Sequence, residues 1–256
     1  RGGMTPLTRG RVGAPASFTL SDEALDGLAR AVRLTGSGLH VHAAEDRADV
    51  EDARGRGASG VVDRLQRHGL VGEGTILVHA VHLSEDELRR AQDEGAWIVH
   101  CARSNANNAV GRAPTRAFRR AALGTDGMDE DVLAEARAAF LGMRGAGRED
   151  ASGAALDMLA GGHRLAGAIF GQPLGRLEEG APADLVVLDY RPPTPLTAHT
   201  LAGHLLFGLD RSHVRSTMVA GRFVLRDRRI ATADEAAVLA AARAAAGRLW
   251  ERMAAP

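Results

Sequence analysis

The stretch Gly38-Leu39-His40-Val41-His42-Ala43-Ala44-Glu45 decides how this 256-residue chain is interpreted. Apolar and polar side chains alternate along it, which is typical of a β-strand with two different faces. His40 and His42 therefore share one face, and Glu45 follows at the strand exit. Two imidazoles on one face are a common metal-ligand arrangement. A buried, hydrogen-bonded histidine pair would give the same pattern, so this stretch alone leaves both interpretations open.

Three more apolar segments, each predicted to be a strand, end in a proton-active side chain. These side chains are His79 in residues 75–81, His100 in residues 96–101 and Asp126 after residues 121–125. Burying such groups is costly unless they share a charge or a metal ion. Taken together with His42, the pattern favours a metal site over separate buried histidines.

Predicted helices alternate with these strands. Residues 16–20 form a short apolar run predicted to be a strand, Ser21 is a candidate helix N-cap, and residues 23–34 have apolar positions at helical spacing. The same order recurs along the chain. Alternating strands and helices indicate an α/β fold with a parallel sheet covered by helices.

The spacing of the strand ends indicates a barrel. Successive markers lie 24, 37, 21 and 26 residues apart; they are Phe18, His42, His79, His100 and Asp126. An eight-fold (β/α)8 TIM-type barrel averages ~31 residues per strand–helix unit and builds its site at the carboxyl ends of the strands. We therefore expect the markers to cluster at one end of the strand array.

Four segments follow from these patterns. They are a tail or cut loop at 1–12, a barrel portion of five units at 13–170, part of a small β-sandwich at 171–232 and a C-terminal helix at 233–256. The β portion rests on residues 185–188 and on alternation around the turn at Ala220 and Gly221. In the closing helix, Leu239, Leu249 and Trp250 are expected to pack.

Composition excludes several classes of partner and chemistry. The 32 basic residues balance 32 acidic ones, so neither nucleic acid nor a membrane is a predicted partner. All 32 basic residues are arginine, which excludes mechanisms that use a lysine amine. The single cysteine, Cys101, excludes an internal disulfide and a cysteine-cluster metal site, and it favours a reducing compartment, the cytoplasm.

Beyond these general features, the motifs resemble the amidohydrolase superfamily, in its branch of metal-dependent aminohydrolases and chlorohydrolases of nitrogen heterocycles. The resemblance runs from about Gly13 to Arg228. The motifs that carry it are residues 16–21, His42-Ala43-Ala44-Glu45, Val78-His79-Ala80-Val81-His82, Ser104-Asn105 through Gly111, Leu123-Gly124-Thr125-Asp126-Gly127 and residues 174–187. The resemblance implies the family's (β/α)8 barrel, with its fourth to eighth strands present here.

The resemblance also implies roles for individual residues. His42 and Asp126 would be ligands of one divalent metal, zinc or iron(II), and Asp126 would also be catalytic, because a carboxylate beside the metal can take a proton from the bound water. Glu45 would donate a proton to a ring nitrogen, and His79 would hold the metal-bound hydroxide and polarise the reacting carbon. Ser104 and Asn105 are predicted to contact the substrate. The expected reaction removes an amino group, or alternatively chloride, from a purine-, pterin-, pyrimidine- or triazine-like ring, and a homodimer is compatible with it.

Departures from the family pattern define the rival hypothesis. The family's first-strand His-x-His pair, which supplies two metal ligands, has no counterpart before His40. Binuclear members carry a lysine on the fourth strand, and its absence here implies a single metal. We expect the chain to lack an N-terminal portion of the family's barrel and to be inactive and poor in metal by itself. The alternative to an enzyme is a truncated, non-catalytic relative without a complete metal site.

Overall fold

A computed structural model of the chain describes residues 5–254. Contacts divide the chain into two compact units. One unit comprises residues up to Leu177 together with Pro192–Arg211, and the other comprises Glu178–Arg191 together with the residues from Ser212 onwards. The candidate site lies in the first unit.

The first unit is built on a parallel sheet of five strands in the order β1-β2-β3-β4-β5. The strands are β1 (Val12–Ala14), β2 (Leu39–Ala43), β3 (Ile76–His79), β4 (Trp97–His100) and β5 (Ala121–Leu123). Because the spatial order follows the chain order, each new strand is added beside the previous one, as in a barrel. The predicted α/β fold with a parallel sheet is confirmed.

In the described part of the chain, five α-helices lie between successive strands of this unit, and three more of its helices follow β5. They are α1 (Asp22–Thr35), α2 (Arg47–Gly55), α3 (Val61–Arg67), α4 (Glu85–Asp93), α5 (Ala102–Asn107), α6 (Val132–Gly145), α7 (Ala151–Phe170) and the short α8 (Leu201–Gly203). Ser21 caps α1 as predicted, accepting a hydrogen bond from the backbone of Ala24, and Ser84 forms a capping box with Glu87. Within residues 5–254 the structure has no helix long and apolar enough to cross a membrane.

The two faces of the sheet pack against different partners, because side chains of a strand alternate between faces. Leu39, Val41, Leu77 and Ile98 point into the main core with residues of the surrounding helices. The opposite face carries Ile76, Val78 and Trp97, which pack with Leu165 and Ile169 of α7. His40 is paired with Ile76 and His42 with Val78, so both histidines belong to this second face.

Helix α7 lies directly against β5. A Cβ added at Gly161 would come within 1.8 Å of the carbonyl oxygen of Ala121. Only glycine allows the helix to approach the strand backbone this closely. The contact fixes β5, the strand that leads into Asp126.

One predicted strand is wrong. Residues 16–20 were expected to form the first strand, but that strand is Val12–Ala14 and Ser17–Thr19 is a 3-10 turn. Phe18, expected to mark a strand end, is 41% exposed in this turn. The reason is tertiary: the side chain and backbone of the turn bind Asp49 of α2, which holds the chain out of the sheet.

The second unit contains an antiparallel sheet in the order β6-β7-β8-β9. Its strands are β6 (Leu185–Leu188), β7 (Val214–Val219), β8 (Arg222–Arg226) and β9 (Arg229–Ile230), followed by helix α9 (Glu235–Ala254). The expectation that α9 packs through Leu239, Leu249 and Trp250 is wrong, because these side chains are 47%, 44% and 63% exposed. The alanine-rich sequence favours a helix without supplying it with a buried face.

Candidate metal and active site

The polar strand ends meet at one edge of the parallel sheet. Ala43 is paired with His79 across β2 and β3, so His42 and His79 sit at the carboxyl ends of neighbouring strands. Glu45 follows β2 directly, and Asp126 follows β5. The structure thus brings together the four side chains for which the sequence predicted metal-binding or catalytic roles.

Their distances describe a compact group. One ligand atom from each of His42, Glu45 and His79 lies within 4.8 Å of the others. Nε2 of His79 is 3.5 Å from Oε2 of Glu45 and 3.9 Å from Oδ2 of Asp126. The His42 and His79 rings meet edge to face, with centroids 5.1 Å apart. Asp126 therefore stands beside this group of three and faces the same ring nitrogen.

Only one histidine of the His-x-His pair joins the group. His40 lies two residues earlier on the same face of β2 and is not among the residues clustered around His79. Burial lowers the pKa of His40, and the nearby charges of Arg11 and His42 lower it further. Its environment is therefore unfavourable for the protonated form.

The backbone turns sharply where the strands deliver these groups. Ala44, His79, Ala80 and Asp126 have φ values of +50°, +71°, +53° and +51°. Non-glycine residues in this left-handed region cost about 1–2 kcal/mol each. Two hydrogen bonds hold the turns: the N–H of Ala80 donates to Ala43 at 3.1 Å and that of His82 donates to Ala44 at 2.9 Å. Four of the eight non-glycine residues with positive φ in the described part of the chain lie at these strand exits.

Asp49 is a residue whose importance the sequence did not reveal. It is buried in α2 and accepts hydrogen bonds from the Ser17 hydroxyl at 2.6 Å, the Phe18 N–H at 3.1 Å and the Ala44 N–H at 2.7 Å. It thereby fixes the turn that precedes Glu45. In the sequence Asp49 looks like an ordinary first-turn acid of a polar stretch, and two of its three partners, Ser17 and Phe18, are more than 30 residues away along the chain.

Helix α5 contributes polar contacts to the site. The Ser104 hydroxyl donates to Oδ2 of Asp126, and Oδ1 of Asn105 lies 2.9 Å from Nδ1 of His79. Just after the helix, Nδ2 of Asn108 donates to Oε1 of Glu45 at 3.2 Å. The pKa of the Asp126 carboxyl lies below its usual value, mainly because of the hydrogen bond that Ser104 donates. That Ser104 and Asn105 contact substrate stays a prediction.

His100 and Cys101 are buried next to the site. Burial is the main cause that lowers the pKa of His100 from 6.5 to about 4, with a smaller effect of His79. Burial also raises the pKa of the Cys101 thiol from 9.0 to about 12, helped by the carboxylates of Glu135, Asp126 and Glu45. His100 is therefore neutral and Cys101 is a thiol near pH 7, so neither supplies charge to the site.

The donor set fits one divalent metal ion. Two imidazoles and two carboxylates are ligand types that zinc and iron(II) accept. Nε2 of His79 is fully buried and has no hydrogen-bond partner among residues 5–254. A buried polar atom without a partner is unfavourable. A cation among these side chains would satisfy it and neutralise Glu45 and Asp126.

The family of this chain follows from its similarity to known proteins. Residues 3–224 match the model of the amidohydrolase family. The chain belongs to the amidohydrolase family. A 5-methylthioadenosine/S-adenosylhomocysteine deaminase of Halobacterium salinarum is 36% identical over 231 residues, which are 86% of this chain and 53% of that relative.

Two solved structures are similar to this chain in fold. An adenosine deaminase from Xanthomonas campestris with bound zinc gives a TM-score of 0.83 at 28% identity, covering 93% of this chain and 57% of the other. Guanine deaminase of E. coli gives 0.72 at 21% identity, covering 82% and 53%. The predicted amidohydrolase-type barrel is thus confirmed as the fold to which the five strands belong. The chain spans about half the length of the relatives that it matches.

Proposed function

We propose that this protein is a metal-dependent aminohydrolase that removes the amino group from an adenine-type ring of a nucleoside. The convergence of His42, Glu45, His79 and Asp126 at one edge of the sheet carries the proposal. The choice of ring rests on relatives that are named as deaminases of methylthioadenosine, S-adenosylhomocysteine and 5'-deoxyadenosine. Zinc is the favoured metal because the similar adenosine deaminase structure contains it.

The residues that would hold the metal are His42 and Asp126, with His79 close enough to face the same point. Bound there, a divalent cation supplies Lewis acidity that makes water a nucleophile near neutral pH. The hydrogen bond from Ser104 and that from the Gly127 N–H at 2.7 Å occupy both oxygens of Asp126 and hold its carboxylate in the ionised form.

The side chains supply the proton transfers that deamination requires. Water adds to the ring carbon that carries the amino group, and the neighbouring ring nitrogen takes a proton from Glu45. The proton lost by water passes to Asp126 and then to the amino group, which leaves as ammonia, while Glu45 recovers its proton as the ring carbonyl forms. His79, held by Asn105, would orient the attacking oxygen through Nε2.

Several expectations about the whole protein belong to this proposal. We propose a small heterocyclic substrate contacted by Ser104 and Asn105, a cytoplasmic location and a homodimer. The leaving group is the amino group and not chloride, because the relatives named above are deaminases.

The experiment is a deamination assay on the protein as its gene encodes it, supplied with one equivalent of zinc. Methylthioadenosine and adenosine are offered, and release of ammonia and the change from an adenine to a hypoxanthine spectrum are followed. Asp126→Asn should abolish turnover, whereas Asp93→Asn, at an exposed carboxylate of α4, should not. Stoichiometric bound zinc without ammonia release from either nucleoside would contradict the proposal.

A further inference from the structure

The segment formed by α5 and Asn108 contacts three separate groups of the candidate site. Ser104 binds Asp126, Asn105 binds His79 and Asn108 binds Glu45. The three recipients come from three different strand exits. One short stretch of chain thus forms hydrogen bonds to side chains at the ends of three different strands.

Helical geometry explains how one segment reaches all three. Residues 104 and 108 are four apart and lie on the same side of a helix, whereas residue 105 points about 100° away. Nδ2 of Asn108 is also 3.5 Å from the Ser104 hydroxyl. The residue that binds Glu45 is thereby in contact with the residue that binds Asp126. Ser104 and Asn105 are both buried, so solvent does not compete for their bonds.

The segment is itself fixed at both ends. At its beginning, the backbone N–H and the side-chain Nε of Arg103 donate to the fully buried Glu135 of α6, at 3.0 and 2.7 Å. At its end, Nε2 of His82 lies 2.8 Å from the carbonyl oxygen of Val110. A charged pair inside the fold and a bond to the exit of β3 hold the segment in place, so its amide and hydroxyl groups are presented rigidly.

We propose that α5 and Asn108 form a positioning element that orients His79, Asp126 and Glu45 for metal binding and proton transfer. The inference rests on the proposed function. In this role Ser104, Asn105 and Asn108 act through the groups that they bind, separately from the substrate contact proposed above for Ser104 and Asn105. Oδ1 of Asn105 can only accept, so Nδ1 of His79 carries the proton and donates to it, which leaves the lone pair on Nε2 facing Glu45 and Asp126.

This role differs from substrate binding in what it changes. A substrate contact raises KM when it is removed and leaves the histidine tautomer and the metal affinity alone. A positioning contact lowers kcat and metal affinity, and residues that orient metal ligands in this way typically contribute 10–100-fold. Nδ2 of Asn105 is buried and has no hydrogen-bond partner among the described residues.

The experiment compares Asn105→Leu and Asn105→Asp with wild type. Nitrogen-15 NMR of the metal-free protein reports the His79 tautomer, and titration with zinc alone reports affinity. Asn105→Leu should lose the Nδ1-protonated signature and bind zinc 10–100-fold more weakly, with a fall in kcat that exceeds any rise in KM. Asn105→Asp keeps an acceptor oxygen and should restore the tautomer. Ala106→Asn, at an exposed position of the same helix, is the matched control and should match wild type.

If Asn105→Leu does not fold because Asn105 is buried, Asn108→Ala still tests the inference. Asn108 is exposed, so its substitution should not prevent folding. It should lower kcat about 10-fold and leave zinc affinity nearly unchanged, since it releases Glu45 and loses only a long contact to Ser104, whose bond to Asp126 remains. Unchanged tautomer and zinc affinity in folded Asn105→Leu, with a higher KM alone, would overturn the inference. If Asn105→Leu changes the His79 tautomer and weakens zinc binding as expected, but wild type deaminates no nucleoside, the positioning role stands and the proposed function is overturned.

Discussion

His79 and Glu45 face each other with 3.5 Å between Nε2 and Oε2, and that nitrogen has no hydrogen-bond partner among residues 5–254. The opposite nitrogen of the ring is held by Asn105. The free position at Nε2, next to the Glu45 carboxylate, is one that a cation or a reacting molecule can fill.

Replacing Glu45 with Gln should separate proton transfer from metal binding. The amide keeps the size of the side chain and loses the acid, so turnover should fall by about 10²–10⁴-fold, about 3–5 kcal/mol, with zinc content nearly unchanged. Zinc is measured by elemental analysis and turnover by ammonia release. Full turnover by Glu45→Gln would remove Glu45 from the role of acid.

Replacing Asp126 with Ala should lose metal and activity together. The substitution removes a proposed ligand and leaves the Ser104 hydroxyl and the Gly127 N–H without their acceptor. Zinc titration by calorimetry should show binding at least tenfold weaker than in wild type. If Asp126→Ala bound zinc as tightly as wild type, the ligand set would have to be sought among His42, Glu45 and His79 alone.

Asp49 should matter for stability although it lies outside the reacting group. Asp49→Ala leaves the Ser17 hydroxyl and the Ala44 N–H unsatisfied inside the protein, which should cost about 2–4 kcal/mol of unfolding free energy. Chemical denaturation measures this loss. Glu51→Ala, at an exposed position of the same helix, is the control and should change stability by less than about 0.5 kcal/mol. Equal effects of the two substitutions would contradict the role of Asp49 as a buried support.

His100 should make the fold sensitive to acid. Its pKa is about 4 in the folded protein against 6.5 for the free side chain, so the unfolded chain binds the proton more readily. The stability present above about pH 6.5 is therefore lost as the pH falls towards 4, by up to about 3 kcal/mol. Denaturation curves of wild type and His100→Leu between these pH values, with a chelator present, measure the difference. Parallel curves for the two proteins would show that His100 does not contribute.

Cys101 should be inert until the fold opens. Burial and nearby carboxylates raise the pKa of its thiol to about 12, so almost no thiolate exists at pH 8. A thiol reagent should leave the native protein unlabelled and label one site per chain in denaturant, because the chain contains one cysteine. Rapid labelling of the native protein would show that residues around the β4 exit open readily.

Much of the fold could be predicted from local patterns. The strands around His42, His79 and His100 were expected at residues 38–44, 75–81 and 96–101, because apolar runs bounded by polar residues are a strong signal of buried parallel strands. The first strand was missed: Val12–Ala14 is three residues long and gives too short a pattern. Helix α5 was missed as well, because Ser and Asn favour caps and turns over helix interiors.

The sequence by itself determined which side chains reach the site. Strand period and the common direction of parallel strands oblige His42, His79 and Asp126 to emerge at one edge, whatever the details of packing. Tertiary structure alone decided what holds them there. The bonds of Asn105 to His79 and of Ser17 to Asp49 join residues 26 and 32 positions apart in the chain, and local pattern carries no information about such pairs. They form only once helices have packed on the sheet and excluded the water that would otherwise bind these groups.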